Sequence, residues 1–422
     1  MRVIVTLALP NSRLLCAAAT LAAASFIASC GGQSAVATDV LPGGPLVIGQ
    51  APTVTCDSVP CAKQIAAGDN HACARFENGL VACWGSNVVN ESGQALADAV
   101  NSVIPLPRYV PNIQSSTAIS AAGQSSCVVT VGGNGMCWGN ILRRFDTQAA
   151  PSNEYLPRQI PGQVAQVGIN RGGDEFLCVT RLDGTAACLG NNFAGQLGNG
   201  TVTQDLGTTF SSVTGLTTVR ALGMGYGHAC ALVSAPARVY CWGDNKFGAV
   251  GPPFLGLAGQ PSTGAQSIAD NVTVPREVQG IENPVVVTGT DGNSRTCVLD
   301  QTGIARCWGQ EIRPTSTQPV TVWPPERRLD VGGLLVDIVG TESSLCGVTS
   351  KGIVVCENSG EYSKISNVAQ VACGRHFCCV LQKNGSVQCY GSNDQGQLGI
   401  GSVDDFEHSP AAPDFRFLTG SG

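Results

Sequence analysis

The chain has 422 residues, a formal net charge of −6 and only 13% charged residues. Nucleic-acid binders usually carry a basic stripe or patch, so this acidic balance argues against that class of partner. A hydrophobic fraction of 43% is enough for a packed core, and 53 glycines favour short strands joined by tight turns. Twenty cysteines exceed what a reducing compartment supports without metals.

Residues 1–29 have the pattern of an export signal. Arg2 and Arg13 are the basic residues of this stretch, and the apolar run 14–27 is short for a membrane span but suits a signal peptide. The run is followed by Ala28-Ser29-Cys30, which resembles the lipobox of bacterial lipoproteins. The resemblance implies cleavage before Cys30 and attachment of lipid to it. An ordinary cleaved signal in which Cys30 is incidental is the alternative.

Residues 30–55 are rich in glycine, alanine, proline and serine, which predicts a flexible tether. In lipoproteins an aspartate after the lipidated cysteine retains the protein at the inner membrane, and here that residue is Gly31. The resemblance therefore implies an exported bacterial protein that is held by lipid at the outer membrane or cell surface.

Residues 56–422 read as one domain that is built on a repeated cysteine pair. The repeats lie near 64–87, 118–140, 172–192, 223–245, 291–310, 340–358 and 373–401. The predicted pairs, in the order of the repeats, are Cys73 with Cys83, Cys127 with Cys137, Cys178 with Cys188, Cys230 with Cys241, Cys297 with Cys307, Cys346 with Cys356 and Cys379 with Cys389. Six pairs are ten residues apart and the fourth is eleven apart.

An even spacing between two cysteines that face each other across a hairpin requires a loop of odd length. A three-residue loop typically ends in a residue with positive φ, which glycine supplies at least cost. That position holds glycine in all six repeats with the ten-residue spacing: Gly79, Gly133, Gly184, Gly303, Gly352 and Gly385. The fourth repeat has Pro236 there instead. The pattern predicts one β-hairpin per repeat.

Facing residues on antiparallel strands are close enough for a disulfide, so each repeat can staple its own hairpin. A zinc site would need short cysteine pairs such as C-x-x-C, and the sequence contains none. We therefore predict disulfides and no metal. Cys56, Cys61, Cys373 and Cys378 remain, either as two local pairs or as crosslinks between the N-terminal segment and the last repeat. Pairing of Cys389 with Cys378 rather than Cys379 also stays open.

The first cysteines recur about every 50 residues, which suits a four-stranded blade, and the sixth repeat is shortened. We predict an all-β, seven-bladed β-propeller with one disulfide-stapled hairpin per blade. Cys-Trp-Gly at 83–85, 137–139, 241–243 and 307–309, with Gly-Gln-Leu-Gly at 195–198 and 396–399, resembles the RCC1 (regulator of chromosome condensation) repeat family. Leu189, Glu357 and Tyr390 replace the tryptophan in the other repeats.

No catalytic or nucleotide-binding motif stands in the sequence, and we predict no cofactor and no catalytic residue. His71, His228 and His376 recur near the first cysteine of their repeats, which favours a structural role, and His408 is expected in a solvated tail. The repeat tryptophans are expected to pack between blades. Trp323, in a proline-rich loop outside the repeat, is a candidate interface residue.

The long segments 247–284 and 311–333 are further candidates for binding, because long loops in compact repeats tend to carry function. We predict a surface-anchored binding module, not an enzyme, that uses a propeller face or inter-blade loops. The expected partner is a protein or an envelope glycan. The alternative is a propeller hydrolase or lyase that acts on polysaccharide.

Overall fold

The computed structural model describes residues 53–57, 59–95, 102–144, 157–170, 176–234, 236–251, 271–290, 295–311, 321–323, 333–341, 344–357, 360–361 and 365–419. Cys30 and most of the predicted tether lie outside these residues. The described part is almost entirely β-structure, with two short 3₁₀ helices at Asn140–Arg144 and Phe415–Thr419. None of its helices is long and apolar enough to cross a membrane.

The strands form antiparallel sheets in which sequence neighbours pair. The first sheet contains β1 Ala62–Ala67, β2 His71–Phe76, β3 Val81–Ser86 and β4 Val103–Tyr109. The second has seven strands: β5 Ser116–Ala122, β6 Ser125–Thr130, β7 Asn134–Gly139, β8 Arg158–Ile169, β9 Phe176–Arg181, β10 Ala186–Asn192 and β11 Thr203–Ser212.

Four more sheets of four strands follow. They contain β12 Val219–Met224, β13 His228–Ser234, β14 Ala237–Asp244 and β15 Asn271–Glu277; then β16 Pro284–Gly289, β17 Arg295–Asp300, β18 Ala305–Glu311 and β19 Thr321–Trp323. The last two contain β20 Leu335–Gly340, β21 Leu345–Thr349, β22 Val354–Cys356 and β23 Gly360–Glu361; and β24 Val368–Cys373, β25 Phe377–Gln382, β26 Val387–Asn393 and β27 Asp404–Ala411.

The described residues thus form six sheets, whereas the sequence predicts seven separate blades. Repeats two and three share β8, which pairs with β7 as far as Gln163 and with β9 from Val164 onward. The long strand therefore serves as the fourth strand of one repeat and the first strand of the next.

The second and third strands of each repeat form the predicted hairpin. In repeat one the amide of Phe76 donates to the carbonyl of Leu80 at 2.9 Å, and the amide of Gly79 donates to the carbonyl of Phe76 at 3.0 Å. This leaves a three-residue turn that ends at Gly79 with a φ of 78°. The corresponding glycines of the other five repeats have φ between 73° and 87°. In repeat four the pairing continues to Ser234 opposite Ala237, which leaves two residues in the turn.

A disulfide joins the facing cysteines of all seven repeats, with Cα atoms 4.0–4.1 Å apart. In each pair one cysteine is on the second strand of the repeat and the other is directly opposite it on the third strand. The bonded pairs are Cys73 with Cys83, Cys127 with Cys137, Cys178 with Cys188, Cys230 with Cys241, Cys297 with Cys307, Cys346 with Cys356, and Cys379 with Cys389.

The four remaining cysteines pair locally, as Cys56–Cys61 and Cys373–Cys378. Of the two arrangements that the sequence leaves open, the structure has the local one. No crosslink among these four cysteines joins the N-terminal segment to the last repeat. The partner of Cys389 is Cys379 rather than Cys378.

The fourth strands are the elements that the sequence marks least clearly. Several contain prolines: β4 has Pro105 and Pro107, and β15 has Pro275. Proline cannot donate to a β-ladder, but an outermost strand pairs on one side only and tolerates it. Two segments that we expected to be loops hold such strands, since β15 lies within 247–284 and β19 lies within 311–333.

The first strands bring the sheets together in a closed succession. Each of β1, β5, β8, β12, β16, β20 and β24 contacts the next, and β24 contacts β1. The hydrophobic clusters lie between neighbouring repeats, and one of them combines Phe377 and Leu381 of repeat seven with Ala72 and Trp84 of repeat one. The first and last repeats are therefore packed neighbours.

Candidate functional site

The repeat tryptophans link neighbouring repeats through hydrogen bonds. Their side chains are fully buried, and each indole Nε1 donates to a carbonyl in the loop after the third strand of the preceding repeat. The pairs are Trp84 with Gln397 at 2.9 Å, Trp138 with Glu91 at 2.9 Å, Trp242 with Gln196 at 2.8 Å and Trp308 with Ala249 at 2.8 Å. Because repeat seven supplies the carbonyl for Trp84, this contact also joins the last repeat to the first.

Two histidines take part in the same junctions. His71 Nε2 lies 2.7 Å from Ser126 Oγ of the next repeat, and the Ser126 hydroxyl donates to the carbonyl of Glu91. His228 Nε2 lies 2.8 Å from Thr296 Oγ1, whose hydroxyl donates to the carbonyl of Ala249. Since each hydroxyl proton is used on a carbonyl, the imidazole must donate through Nε2.

Burial keeps both histidines neutral. It lowers the pKa of His71 to about 3 and that of His228 to about 4, because the charged ring would lose its hydration. A catalytic histidine needs a pKa near the working pH and access to a substrate. These two have neither, which supports the structural role inferred from their recurrence.

His376 does not occupy the position of these two histidines. Phe377 does so in repeat seven, and its ring packs where a Cβ at Gly374 would lie. Gly68 and Gly225 stand in the same relation to the rings of His71 and His228. The register of the repeat therefore assigns His376 to the preceding loop, where its side chain is exposed.

Repeats five and six are joined by an ion pair in place of the histidine and hydroxyl. Arg295, at the histidine position of repeat five, donates to both carboxylate oxygens of Glu357 at 3.0 and 3.3 Å. Glu357 stands at the tryptophan position of repeat six, and its Oε2 also accepts from the amide of Leu345. The two side chains are only 5% and 13% exposed. Sequence reasoning missed this partnership, although a cation at the histidine register one repeat earlier was a usable signal.

The described titratable residues do not assemble a catalytic or metal centre. Two groups bring three ligand-type atoms together, namely Cys346, Cys373 and Cys378, and Cys56, Cys61 and Glu77. All five cysteines are bonded in disulfides, so their sulfur atoms are not thiolate ligands in this structure. Asp337 on β20 has a pKa raised to about 7 by burial, and its carboxylate accepts from the amide of Ile338.

The loops between the first and second strands converge on one another. The amide of Arg375 donates to the carbonyl of Asp69 at 2.8 Å, and the amide of Asp69 donates to the carbonyl of Gly123 at 2.8 Å. Asn170 Nδ2 lies 3.4 Å from the carbonyl of Tyr226. We call the surface formed by residues 374–376, 68–70, 123–124, 170 and 225–227, the described parts of the first-to-second-strand loops of repeats seven, one, two, three and four, the loop face.

The loop face presents polar and aromatic side chains to solvent. Arg375, His376 and Gln124 are exposed, and Tyr226 is 43% exposed. Tyrosine and arginine are among the residue types that protein interfaces favour. Backbone hydrogen bonds join the loops of repeats seven, one and two beneath Arg375 and Gln124, and a side-chain hydrogen bond joins the loops of repeats three and four at Tyr226.

A cavity of about 640 Å³ lies at the other end of the last sheet. It is lined by the loop that contains Pro60, by Ser386 in the hairpin turn of repeat seven, and by Phe415. Its carboxylate, Asp414, is bonded to Arg416 at 2.7 Å, and this hydrogen bond lowers the pKa of Asp414 to about 2. A carboxylate that is held ionised in this way is a poor general acid.

The remaining predicted residues contribute no described side chain to these sites. Trp323 lies on β19, where its backbone pairs with Gly309, rather than in a loop. Residues 252–270, 312–320 and 324–332 of the two long segments lie outside the described residues. The interface roles predicted for them stay predictions.

Comparison with known proteins assigns the repeat. Residues 62–94, 219–249 and 368–397 match the Regulator of chromosome condensation (RCC1) repeat. Three of the seven repeats are thus similar to the RCC1 repeat. The matched stretches cover repeats one, four and seven, in which the histidine position holds His71, His228 and Phe377.

The curated relatives are only distantly similar to this chain. The chain is 24% identical over 354 residues to the human E3 ubiquitin-protein ligase HERC2, which covers 76% of this chain but 7% of that protein. It is 24% identical over 371 residues to protein pim1 of Schizosaccharomyces pombe, covering 81% of this chain and 61% of pim1. The chain thus spans a small part of the ligase and less than two thirds of pim1.

Solved structures show the same fold. Prp20p from Saccharomyces cerevisiae matches with a TM-score of 0.50 and 18% identity, over 83% of this chain and 76% of that one. Human WBSCR16 matches with a TM-score of 0.51 and 15% identity, over 82% and 81% of the two chains. The all-β prediction and the RCC1-like β-propeller are confirmed.

Proposed function

We propose that this chain is a protein-interaction module that binds its partner through the loop face. The observation that carries the proposal is the hydrogen bonding between first-to-second-strand loops of neighbouring repeats, with Arg375 exposed on the loops of repeats seven, one and two and Tyr226 exposed on those of repeats three and four. Prp20p, which has a similar fold, has binding properties towards Gsp1p and histones. That likeness supports a binding role and names no partner for this chain.

Affinity capture from the cell envelope, with a Cys30→Ala form as bait, tests this function. We expect a specific polypeptide partner, whose affinity falls at least tenfold when Tyr226 and Arg375 are both changed to alanine, since tyrosine and arginine dominate binding energy at interfaces. Lys351→Ala removes an exposed cation from a hairpin turn at the other end of the sheets and should leave the affinity unchanged. Recovery of processed glycan and no polypeptide would contradict the proposal and favour the polysaccharide enzyme.

We also propose that the propeller has seven blades, with β8 divided between two of them. Gly162 has a φ of 85° next to the point where β8 changes partners, and each half of β8 completes a set of four strands. The seven first strands contact one another in a closed succession, which supports the same count.

The module is further proposed to be exported and anchored by lipid at Cys30 to the outer membrane or cell surface. The eighteen cysteines outside residues 1–52 are all in disulfides, which suits an oxidising compartment. Metabolic labelling with a fatty acid should mark the wild type and not Cys30→Ala. Cys16→Ala, within the apolar run, is the matched control and should remain labelled.

A further inference from the structure

Two disulfides of different sheets lie against each other where repeats six and seven meet. Cys346 is on β21 and is bonded to Cys356, whereas Cys373 and Cys378 are bonded to each other across β24 and β25. The Sγ atoms of Cys346, Cys373 and Cys378 all lie within 4.8 Å of one another. The three cysteines belong to one hydrophobic cluster, at the packed contact of β21 with β24.

Disulfides rearrange when a thiolate attacks a disulfide sulfur. At this junction the attacking and attacked sulfurs are held side by side by two packed sheets, so the reaction needs no diffusion of one chain segment to another. The leaving sulfur must accept negative charge, which is easier where water reaches it. Cys373 is fully buried and Cys378 is only partly buried, so Cys378 is the better leaving group.

We propose that Cys346 and the Cys373–Cys378 disulfide form an exchange site that converts two crosslinks within sheets into one crosslink between sheets. The Cys346 thiolate attacks Cys373 Sγ, the Cys373–Cys378 bond breaks, and Cys378 leaves as the thiolate. One disulfide bond forms for each one that breaks. The Cys346 thiolate arises when an external dithiol reduces Cys346–Cys356, and the dithiol is thereby oxidised to its own disulfide.

The exchange changes the constraint on one loop. Cys373 and Cys378 flank the loop that carries Arg375 and His376, and their disulfide closes it. After exchange this loop is open and the junction of repeats six and seven is covalently linked through β21 and β24. The site would thus make one loop of the binding surface sensitive to thiols, a consequence that rests on the proposed function. The exchange itself does not depend on any partner.

The test uses the purified full chain with Cys356→Ala, which leaves Cys346 without its partner. After alkylation of free thiols, cleavage at Arg375 separates Cys373 from Cys378, and mass spectrometry maps the pairs. We expect a Cys346–Cys373 crosslink with Cys378 alkylated. Cys307→Ala is the matched control, in which Cys297 should be alkylated and all other pairs kept.

Two results would overturn the proposal. Alkylated Cys346 with an intact Cys373–Cys378 pair would exclude exchange, and a Cys346–Cys378 crosslink would exclude Cys373 as the attacked sulfur. Wild-type chain treated with limiting dithiothreitol gives a second readout that does not require the variant to fold. The same Cys346–Cys373 crosslink should accumulate during partial reduction, and its absence after Cys346–Cys356 is reduced would also refute the exchange.

Discussion

In repeats one, three, four, five and seven the residue two positions before the first cysteine packs against the following repeat, and its partner there varies with it. His71 and His228 face a hydroxyl, on Ser126 and Thr296. Phe176 and Phe377 instead occupy clusters in which the corresponding residue of the following repeat is alanine: Ala229 and Ala72. A polar ring is thus matched with a hydroxyl and an apolar ring with a methyl group, as expected where an unsatisfied buried group costs about 1–3 kcal/mol.

This matching predicts that the histidine–serine pair between repeats one and two can be converted to a phenylalanine–alanine pair. His71→Phe and Ser126→Ala should each destabilise the protein by about 1–3 kcal/mol, because each leaves a mismatched pair. The double variant reproduces the pairing of Phe377 with Ala72. Its destabilisation should therefore be smaller than the sum of the two single-variant values by at least about 0.5 kcal/mol. Denaturant unfolding with the disulfides intact measures this.

The control for that double variant combines changes at separate junctions. His71→Phe with Thr296→Ala joins two sites that share no contact, so their costs should add. If the costs of the single changes add equally well in both double variants, the pairing of the ring at position 71 with its partner at position 126 contributes nothing to stability.

The ion pair of Arg295 and Glu357 gives a second prediction at the scale of residues. Glu357→Gln leaves a buried guanidinium without a countercharge and should cost about 3–5 kcal/mol. Arg295→Met with Glu357→Leu removes both charges and should cost less than the single change. Arg416→Gln, at an ion pair whose arginine is 87% exposed and screened by solvent, is the control and should leave the free energy of unfolding nearly unchanged. A double variant as unstable as Glu357→Gln would contradict the argument.

At the scale of elements, a glutamine side chain rather than a disulfide connects β24, the first strand of repeat seven, to β1, the first strand of repeat one. Gln370 on β24 accepts from the amide of Ile65 on β1 at 3.0 Å and donates to the carbonyl of Ile65 at 3.1 Å. Gln64 makes the same two bonds to Ile119 on β5. The first bridge spans 305 residues of sequence and the second spans 55. Closure thus uses the same device as an ordinary junction.

Gln370→Ala should therefore expose the Ile65 amide to solvent exchange and speed hydrogen exchange in β1 and β24. Gln64→Ala is the matched control, which should affect β1 and β5 and leave β24 protected. Hydrogen exchange followed by mass spectrometry distinguishes the two patterns. Unchanged protection of β1 in Gln370→Ala would mean that backbone contacts, such as that of Thr55 with Lys383, hold the closure alone.

The sequence predicted contacts between residues that are close in the chain and missed contacts between more distant strands and between repeats. The all-β class follows from cysteine spacing and turn glycines, because both reflect contacts within about ten residues, such as that of Cys73 with Cys83. The sharing of β8, the strand at Trp323 and the pairing of Arg295 with Glu357 depend on residues of different strands or repeats. Thr55 lies in the predicted tether, yet its amide donates to the carbonyl of Lys383 in the hairpin turn of repeat seven.

At the scale of the whole molecule, the buried histidines make stability depend on pH. The pKa of His71 is lowered to about 3 and that of His228 to about 4, whereas in the unfolded chain both should lie near 6.5. Between pH 6.5 and about 4 the unfolded chain therefore binds protons that the folded chain does not. The free energy of unfolding should fall as the pH falls through this window, by about 1.4 kcal/mol per pH unit for each histidine.

Asp337 works in the opposite direction, because its raised pKa of about 7 lets the folded chain keep a proton that the unfolded chain releases above about pH 4. Its contribution is lost as the pH rises toward 7. A comparison of variants isolates the histidines from this and every other group. The double variant with His71→Phe and Ser126→Ala keeps Asp337 and His228, so between pH 4.5 and 6 its unfolding free energy should change less steeply than that of the wild type, by about 1.4 kcal/mol per pH unit. Identical slopes in the two proteins would mean that His71 is protonated in the folded state, and with it the neutral hydrogen-bonded junction inferred between repeats one and two would be wrong.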